Sequence, residues 1–145
     1  MYINGEWLVK ADKIRVVNPA TGELVQEVDK GTKDDAKAAI ESAKKGFATW
    51  SVSTALERSQ LLERIAQKII EQKDVLATTI TTEMGKPLVN AQYEVDSTAA
   101  YFKWFAEEAR RIYGEQIPSN APNKRMLTIK QPIGVIAAIL SLIHI

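Results

Sequence analysis

The feature that most constrains the fold is an uncharged, apolar run at residues 133–140, near the end of the 145-residue chain. The run reads Ile-Gly-Val-Ile-Ala-Ala-Ile-Leu and has no polar face. This pattern is typical of a central strand in a parallel β-sheet, because helices cover such a strand on both sides. The strand requires neighbouring strands and a crossover helix, yet the chain stops six residues beyond Ile139. We therefore expect an α/β fold that is truncated in this chain, with the run as the first strand of its main sheet.

The middle of the chain shows the periodicity of helices, because apolar residues recur there at every third or fourth position. Four amphipathic helices are predicted. The first follows Thr32 and the second follows Thr54, since each threonine has an acidic residue three positions later that suits a helix start. We expect Asp74 to cap the third helix and Gly85 to end it. The fourth is expected to be the longest, from about residue 88 to residue 113.

Short antiparallel strands are predicted on both sides of the helices. Asn4-Gly5 is a strong signal for a two-residue hairpin turn near the start of the chain. The runs Ile14–Val17 and Leu24–Val28 predict two further extended segments with a turn between them. A second extended part is expected after the helices, where polar and apolar side chains alternate along Met126–Lys130. These strands are expected to be mostly exposed.

Composition excludes several classes of function. The chain has no cysteine, so it contains no disulfide, thiolate metal site or cysteine nucleophile, and its single histidine, His144, leaves no basis for a histidine-dependent triad. The net charge of +1 argues against a nucleic-acid partner. The apolar stretch Ile133–Ile143 is shorter than the roughly 20 residues that a membrane-spanning helix needs, and residues 1–10 lack the apolar core of a signal peptide. We expect a cytoplasmic protein with no membrane partner.

Two other patterns carry weaker signals. Ser42 and Lys45 have the Ser-x-x-Lys spacing of some acyl-enzymes, but both lie off the apolar stripe of an ordinary helix, which favours a structural role. Aromatic residues crowd the end of the fourth helix, and packing against a neighbouring domain is the favoured interpretation. Trp104 and Phe105 lie partly beside the main stripe, so a second domain and the mouth of a pocket both stay open as their contact.

Several motifs resemble the N-terminal region of the aldehyde dehydrogenase superfamily, and they occur in its order and approximate spacing. They are Asn-Pro-Ala-Thr-Gly-Glu at 18–23, Ala-Thr-Trp at 48–50, Glu-Arg at 57–58 and Glu-Met-Gly-Lys-Pro at 83–87. The segments at 105–114 and 129–135 make the chain similar to enzymes of the succinate-semialdehyde dehydrogenase type. The resemblance covers residues 1–139.

The resemblance implies a domain organisation. Residues 1–139 would be the N-terminal part of a cofactor-binding domain whose sheet is Rossmann-like. About residues 115–131 would form an arm that makes oligomer contacts, so that a full-length subunit would form a homodimer or homotetramer. Residues 140–145 depart from the family pattern and are expected to be a foreign tail.

The resemblance also implies an activity. A longer parent enzyme would oxidise a semialdehyde to the carboxylate with NAD or NADP, through a cysteine thioester. Succinate semialdehyde is the first expected substrate and glutarate semialdehyde the second. The cysteine and the glutamate that activates water would lie beyond residue 145, so this chain has no catalytic residue of its own. It is expected to be inactive and not to bind the cofactor.

Few site residues can be carried over. Ile139 corresponds to a residue that lines the nicotinamide-ribose side of the cofactor pocket in the family. Val16 or Val17, through a backbone carbonyl, and Asp96, through its carboxylate, correspond to the ligands of a structural monovalent cation in some members. Oxygen ligands of these kinds suit a hard cation.

A different class of function stays open at this point. The four capped helices and the missing nucleophile also fit a non-catalytic helical interaction module that is complete as it stands. The buried strand predicted at residues 133–139 argues against that alternative, because a complete module would not end on a strand without neighbours.

Overall fold

The computed structural model describes residues 1–140, and the description below refers to them. Four helices and three two-stranded antiparallel sheets are formed. In chain order they are β1 (Tyr2–Ile3), β2 (Glu6–Trp7), β3 (Lys13–Val17), β4 (Leu24–Asp29), α1 (Lys33–Trp50), α2 (Ala55–Glu71), α3 (Lys73–Met84), α4 (Leu88–Glu108), β5 (Glu115–Ile117) and β6 (Met126–Thr128). None of these helices is both long and apolar enough to cross a membrane.

The chain divides into two compact units. The first unit contains Met1 and residues 9–30 and 53–113, and therefore holds β3, β4 and helices α2 to α4. The second contains residues 2–8 and 31–52 and the chain from 114 onward, and therefore holds β1, β2, α1, β5 and β6. The domain boundaries expected from the resemblance stay a prediction. The tail expected at 140–145 lies outside the described residues from position 141 onward, as does His144.

The core of the first unit lies among its three helices. Ala77 of α3 and Ala91 and Val95 of α4 are buried. Ile69, Leu76 and Ile80 pack around them. Small side chains on α4 let the neighbouring helices approach closely, and apolar burial of this kind is the main source of helix stability in a protein.

The two predicted helix starts with threonine caps are confirmed. The hydroxyl of Thr32 accepts a hydrogen bond from the backbone N–H of Asp35 at 3.3 Å, and the hydroxyl of Thr54 accepts one from that of Glu57 at 3.2 Å. Each acidic side chain in turn accepts from the backbone N–H of its threonine. Both capping boxes are therefore complete.

The predicted cap of the third helix is wrong. Helix α3 begins at Lys73 after Gln72, which makes no side-chain cap hydrogen bond, and Asp74 lies in the first turn. The reason is that Gln72 is the C-cap of α2 and also the N-cap of α3. Asp74 therefore lies inside α3 and cannot be its cap residue. Gly85 ends α3 as predicted, in the left-handed conformation with φ of 75°.

The fourth helix is shorter than predicted, because it ends at Glu108 instead of continuing to about residue 113. The N–H of Arg110 bonds the carbonyl of Glu107 at 3.3 Å, and that of Arg111 bonds the carbonyl of Glu108 at 2.8 Å. Bonds to the third residue back tighten the last turn and end the α-helix. A local apolar pattern does not reveal such a change.

The predicted hairpin turn at Asn4-Gly5 is confirmed. Both residues have positive φ, 56° and 84°, as a type I′ turn requires. It joins β1 to β2, in which Tyr2 lies opposite Trp7 with ring centroids 5.2 Å apart. The runs predicted at 14–17 and 24–28 form β3 and β4, which pair with each other. The run predicted at 126–130 is a strand only over Met126–Thr128, and it pairs with β5, which was not predicted.

The predicted buried strand at 133–140 is not formed. No strand or helix is assigned there, and the exposed fractions of Ile133, Ile136 and Ile139 are 92%, 72% and 88%. The physical reason is that a strand needs a partner, and each of the six described strands pairs with another of the six. The helices and short strands that are formed agree with the N-terminal part of a truncated α/β fold.

Asp29, at the end of β4, ties the ends of the β3–β4 pair to the chain before it. Its Oδ1 accepts from Lys13 Nζ at 2.5 Å and from the backbone N–H of Lys10 at 2.9 Å, while its Oδ2 contacts the amino terminus of Met1. The hydrogen bond from Lys13, followed by those from the amino terminus and Lys10, holds the pKa of Asp29 well below its ordinary value of 3.8.

Asp29 therefore makes the free energy of unfolding depend on pH in the acidic range. A carboxylate with a lowered folded pKa stabilises the fold fully above its unfolded pKa, and this contribution is lost as the pH falls below about 3.8. Thermal melts between pH 7 and pH 2 should show a smaller acid-induced fall in Tm for Asp29→Asn than for the original chain. Asp34→Asn is the matched control, since that side chain is 89% exposed. Parallel curves for Asp29→Asn and the original chain would contradict the prediction.

Candidate functional site

The described residues contain no catalytic constellation. Across residues 1–140, no group of three or more histidine, cysteine, aspartate or glutamate side chains is placed to hold a metal ion. Ser42, of the Ser-x-x-Lys pattern, donates a hydrogen bond from its hydroxyl to Asn4 Oδ1 at 3.0 Å. That bond fixes the β1–β2 turn against α1, which supports the structural role favoured for Ser42.

Asp96, a predicted cation ligand, is paired with a lysine. Its Oδ2 accepts a hydrogen bond from Lys73 Nζ at 2.6 Å, and the two side chains are 46% and 32% exposed. Lys73 belongs to α3, whereas Asp96 belongs to α4, so the pair joins two helices that already pack together. A monovalent cation at Asp96 would have to share or displace this ammonium group.

Val16 and Val17, the other predicted cation ligands, lie in β3 at an irregularity. The register of β3 against β4 shifts between these two residues, where Val16 lies opposite Gln26 and Val17 opposite Leu24. A β-bulge of this kind leaves part of the hydrogen-bond ladder unmade, which favours an available carbonyl. The ligand types fit a hard cation, but the cation site itself stays a prediction.

Ile139, the predicted cofactor residue, is 88% exposed and lies in no strand. A dinucleotide needs a cradle of backbone N–H groups for its phosphates, commonly at a glycine-rich turn that opens a helix. The seven glycines of the chain do not form such a motif. The role of Ile139 as a cofactor contact therefore stays a prediction, as does the expected lack of cofactor binding by this chain.

An open groove of 440 Å³ lies between α2 and α4. Alanines of both helices line it together with the charged side chains of Asp96, Lys103 and Glu107. None of its lining residues is a histidine, cysteine, serine or threonine. Its charged lining consists of the carboxylates of Glu63, Asp96 and Glu107 and the amine of Lys103.

The aromatic residues at the end of α4 are exposed, as expected for side chains beside the buried stripe. Trp104 is 62% exposed, and Tyr101 is 63% exposed with its ring 4.6 Å from that of Phe105. The described residues of this unit therefore leave the aromatic face uncovered. Both predicted contacts of this face, a second domain and a pocket mouth, stay open.

Two motifs that are far apart in sequence contact each other. A Cβ atom at Gly85 would lie 2.9 Å from Pro19 Cγ, and Gln26 Nε2 donates to Glu83 Oε1 at 3.0 Å. The Asn-Pro turn between β3 and β4 therefore lies against the end of α3. Analysis of the sequence identified each motif but not this contact, since 66 residues separate Pro19 from Gly85 and no local pattern relates them.

Replacement of Gly85 by alanine should be costly for two reasons. The φ of 75° strains any residue with a Cβ by roughly 1–2 kcal/mol, and the new Cβ would also clash with Pro19. Gly22→Ala is the matched control, because Gly22 has φ of 74° and no heavy atom within 4 Å of its added Cβ. We expect Gly85→Ala to lower the free energy of unfolding by about 1–3 kcal/mol more than Gly22→Ala does, since overpacking costs that much. Equal losses in urea titrations would show that the contact with Pro19 is unimportant.

Comparison with known proteins shows what the chain is similar to. The model of the aldehyde dehydrogenase family matches residues 7–141. Glutarate-semialdehyde dehydrogenase of Pseudomonas putida is 51% identical over 141 residues, which are 95% of this chain and 29% of the relative. Succinate-semialdehyde dehydrogenase [NADP(+)] of Escherichia coli is 44% identical over 139 residues, or 94% of this chain and 29% of the relative.

A solved structure gives the same result. The crystal structure of succinate-semialdehyde dehydrogenase from Burkholderia pseudomallei matches with a TM-score of 0.87 and 40% identity, over 92% of this chain and 28% of that one. The chain thus spans less than a third of the length of these relatives. Because the family model matches nearly the whole sequence, the chain belongs to the aldehyde dehydrogenase family.

Proposed function

We propose that this chain is the N-terminal part of an NAD(P)-dependent semialdehyde dehydrogenase. The observation that carries the proposal is the match over 95% of this chain to only 29% of a glutarate-semialdehyde dehydrogenase. The exposed apolar run at 133–140 supports it, since in a longer chain further strands and helices would bury those side chains. Domain boundaries of 1–139, with a foreign tail at 140–145, belong to the same proposal.

The substrate of the longer enzyme is proposed to be a short aldehyde with a distal carboxylate. Relatives named for glutarate semialdehyde are 51% and 47% identical, and relatives named for succinate semialdehyde are 50% and 44% identical. Both substrates have the same two functional groups and differ by one methylene. A pocket separates such a pair by only about 1–3 kcal/mol. The residues that would bind the distal carboxylate of either substrate are proposed to lie mostly outside this chain.

The contribution of this chain to that enzyme is structural. The nucleophilic cysteine and the glutamate that activates water are proposed to lie beyond residue 145, because the 145 residues contain no cysteine. Helices α2 to α4 and the β3–β4 pair are proposed to be a packed structural part of that longer enzyme. NAD or NADP would be held by residues of the longer chain, with Ile139 as the contact proposed from this part.

A structural monovalent cation is proposed between the bulge at Val16 and Val17 and the carboxylate of Asp96. Support comes from the chemistry of the donors, since carbonyl and carboxylate oxygens suit a hard cation. In this structure the ammonium group of Lys73 supplies the positive charge beside the carboxylate of Asp96.

The arm proposed at about residues 115–131 would contact other subunits in a homodimer or homotetramer. Strands β5 and β6 pair only with each other among the described residues, and Leu127 and Ile129 are 71% and 74% exposed. Two-stranded ribbons with exposed apolar side chains gain stability when another surface covers them.

The experiment that tests the proposed function extends the chain. The continuous reading frame from the source genome would be expressed, and NAD(P)H formation measured with succinate semialdehyde and glutarate semialdehyde. We expect activity with at least one of them, and none after replacement of the nucleophilic cysteine by alanine. A continuous frame that encodes no cysteine, or a longer enzyme inactive on both aldehydes, would contradict the proposal.

A further inference from the structure

We propose that Asn4 is a site of spontaneous covalent modification, at which its side-chain amide becomes a carboxylate through a cyclic imide formed with Gly5. These two residues form the turn between β1 and β2, and both are exposed. A glycine after an asparagine favours this reaction, because glycine has no Cβ beside the attacking backbone nitrogen. The turn therefore joins the two groups that the reaction needs.

The reaction needs no partner other than water. The backbone nitrogen of Gly5 attacks Cγ of Asn4 and closes a five-membered ring. The bond from Cγ to Nδ2 breaks, and ammonia leaves with the proton of the former N–H. Water then adds to one of the two carbonyl carbons of the imide and breaks the bond from that carbon to nitrogen. Opening at Cγ gives aspartate, and opening at the backbone carbonyl gives isoaspartate, whose main chain runs through the former side chain.

The attacking nitrogen takes no part in the hydrogen bonding of the hairpin. Ile3 and Glu6 are the pair next to the turn in the ladder of β1 and β2, so the N–H of Gly5 lies outside that ladder. Among residues 1–140 it donates to no acceptor. The nitrogen can therefore approach a carbonyl carbon without first breaking a hydrogen bond within the protein.

The other four asparagines of the sequence lack such a nitrogen. Asn18 precedes Pro19, whose backbone nitrogen carries no hydrogen. After each of the remaining three, the next backbone N–H already donates a hydrogen bond. These bonds run from Ala91 to the carbonyl of Pro87 at 3.0 Å, from Ala121 to the hydroxyl of Ser119 at 3.1 Å, and from Lys124 to the carbonyl of Ala121 at 3.2 Å. The structure thus distinguishes Asn4 from the asparagines at 18, 90, 120 and 123.

Opening of the turn controls the rate of the reaction. The imide ring fixes the rotation about the Cα–C bond of Asn4 at a value that a type I′ turn does not have, so the turn must open before the ring closes. Strands β1 and β2 have only two residues each, and so short a ribbon opens easily. One contact opposes opening, since Asn4 Oδ1 accepts the hydrogen bond from the Ser42 hydroxyl of α1 at 3.0 Å.

The experiment follows the full 145-residue chain in mildly alkaline buffer by peptide mapping. Each conversion replaces NH by O, which mass spectrometry detects, and electron-based fragmentation separates aspartate from isoaspartate. We expect both products at Asn4, and at least about tenfold slower conversion at the other four asparagines, where a hydrogen bond must first break or no N–H exists. Asn4→Gln should remove the conversion at this position, because glutamine would have to close a six-membered ring.

Ser42→Ala tests the role of the contact with α1. We expect conversion of Asn4 to become roughly two- to tenfold faster, the factor that corresponds to one lost hydrogen bond. Ser51→Ala is the matched control, because its hydroxyl lies 3.5 Å from the carbonyl oxygen of Ala48 in the same helix region and leaves the turn untouched. Unchanged helical circular dichroism in each variant checks that helices α1 to α4 are retained.

Three results would overturn the proposal. One is an Asn4 that stays unconverted in the chain while a synthetic peptide of residues 1–9, which has no α1 beside its turn, is converted in the same buffer. Another is conversion at a different asparagine that is as fast as conversion at Asn4. The third is a rate in Ser42→Ala no higher than in Ser51→Ala, since opening of the turn would then not control the reaction.

Discussion

A purified preparation of the 145-residue chain should form no NAD(P)H from succinate semialdehyde or glutarate semialdehyde. The expected loss relative to a complete family member is the whole catalytic acceleration, at least about 10⁶-fold. The physical reason is that aldehyde oxidation in this family is proposed to need a thiolate nucleophile, and the chain has no cysteine.

The comparison for this assay is a complete succinate-semialdehyde dehydrogenase at the same molar concentration. A heat-treated sample of the chain gives the background rate. Reproducible NAD(P)H formation above that background, removed when the chain is depleted from the sample, would contradict the prediction. It would mean that residues 1–145 contain a catalytic group that their composition does not suggest.

Gly114→Ala should disrupt the pairing of β5 with β6. A Cβ atom at Gly114 would lie 2.0 Å from the carbonyl oxygen of Thr128 and 3.1 Å from its carbonyl carbon. Both atoms belong to the backbone and cannot move aside as a flexible side chain would. The hydrogen bond from the backbone N–H of Glu115 to Thr128 Oγ1, 2.9 Å long, would be broken with the ladder.

Hydrogen exchange measures this effect at the affected strands. We expect amides in Glu115–Ile117 and Met126–Thr128 to lose their protection in Gly114→Ala, while amides of α2 and α4 keep theirs. Gly46→Ala is the matched control, because Gly46 lies in α1 with no heavy atom within 4 Å of its added Cβ. Alanine should stabilise that helix by up to about 1 kcal/mol. Retained protection of β5 and β6 in Gly114→Ala would show that the close approach to Thr128 is not essential.

Predictions from local sequence succeeded where the determining groups are close together in the chain. The two capping boxes need only a threonine and an acidic residue three positions later, and the turn at Asn4-Gly5 needs only two residues that tolerate positive φ. The cap of the third helix was predicted wrongly, because Gln72 is at once the last residue around α2 and the cap residue of α3. The end of α4 was missed because the apolar stripe continues past the point where the hydrogen bonds tighten.

Features that depend on distant residues could not be predicted. The apolar composition of 133–140 predicts a buried strand, but burial requires partner strands, and each of the described strands already pairs with another. The ion pair of Asp96 joins residues 23 positions apart, and the contact of Gly85 with Pro19 joins residues on two different motifs. Neither periodicity nor composition encodes these pairings.

The intact mass of the native protein from its source is the most direct test of the claim that this chain is part of a longer dehydrogenase. Because 141 aligned residues are 29% of the length of a relative, the native protein is predicted to be roughly three times as heavy as the 16.1 kDa of this chain. Peptide mapping should then also find a cysteine-containing segment after residue 139. A native mass equal to that of the 145 residues, with Ile145 as the last residue, would contradict the claim and favour the non-catalytic helical module.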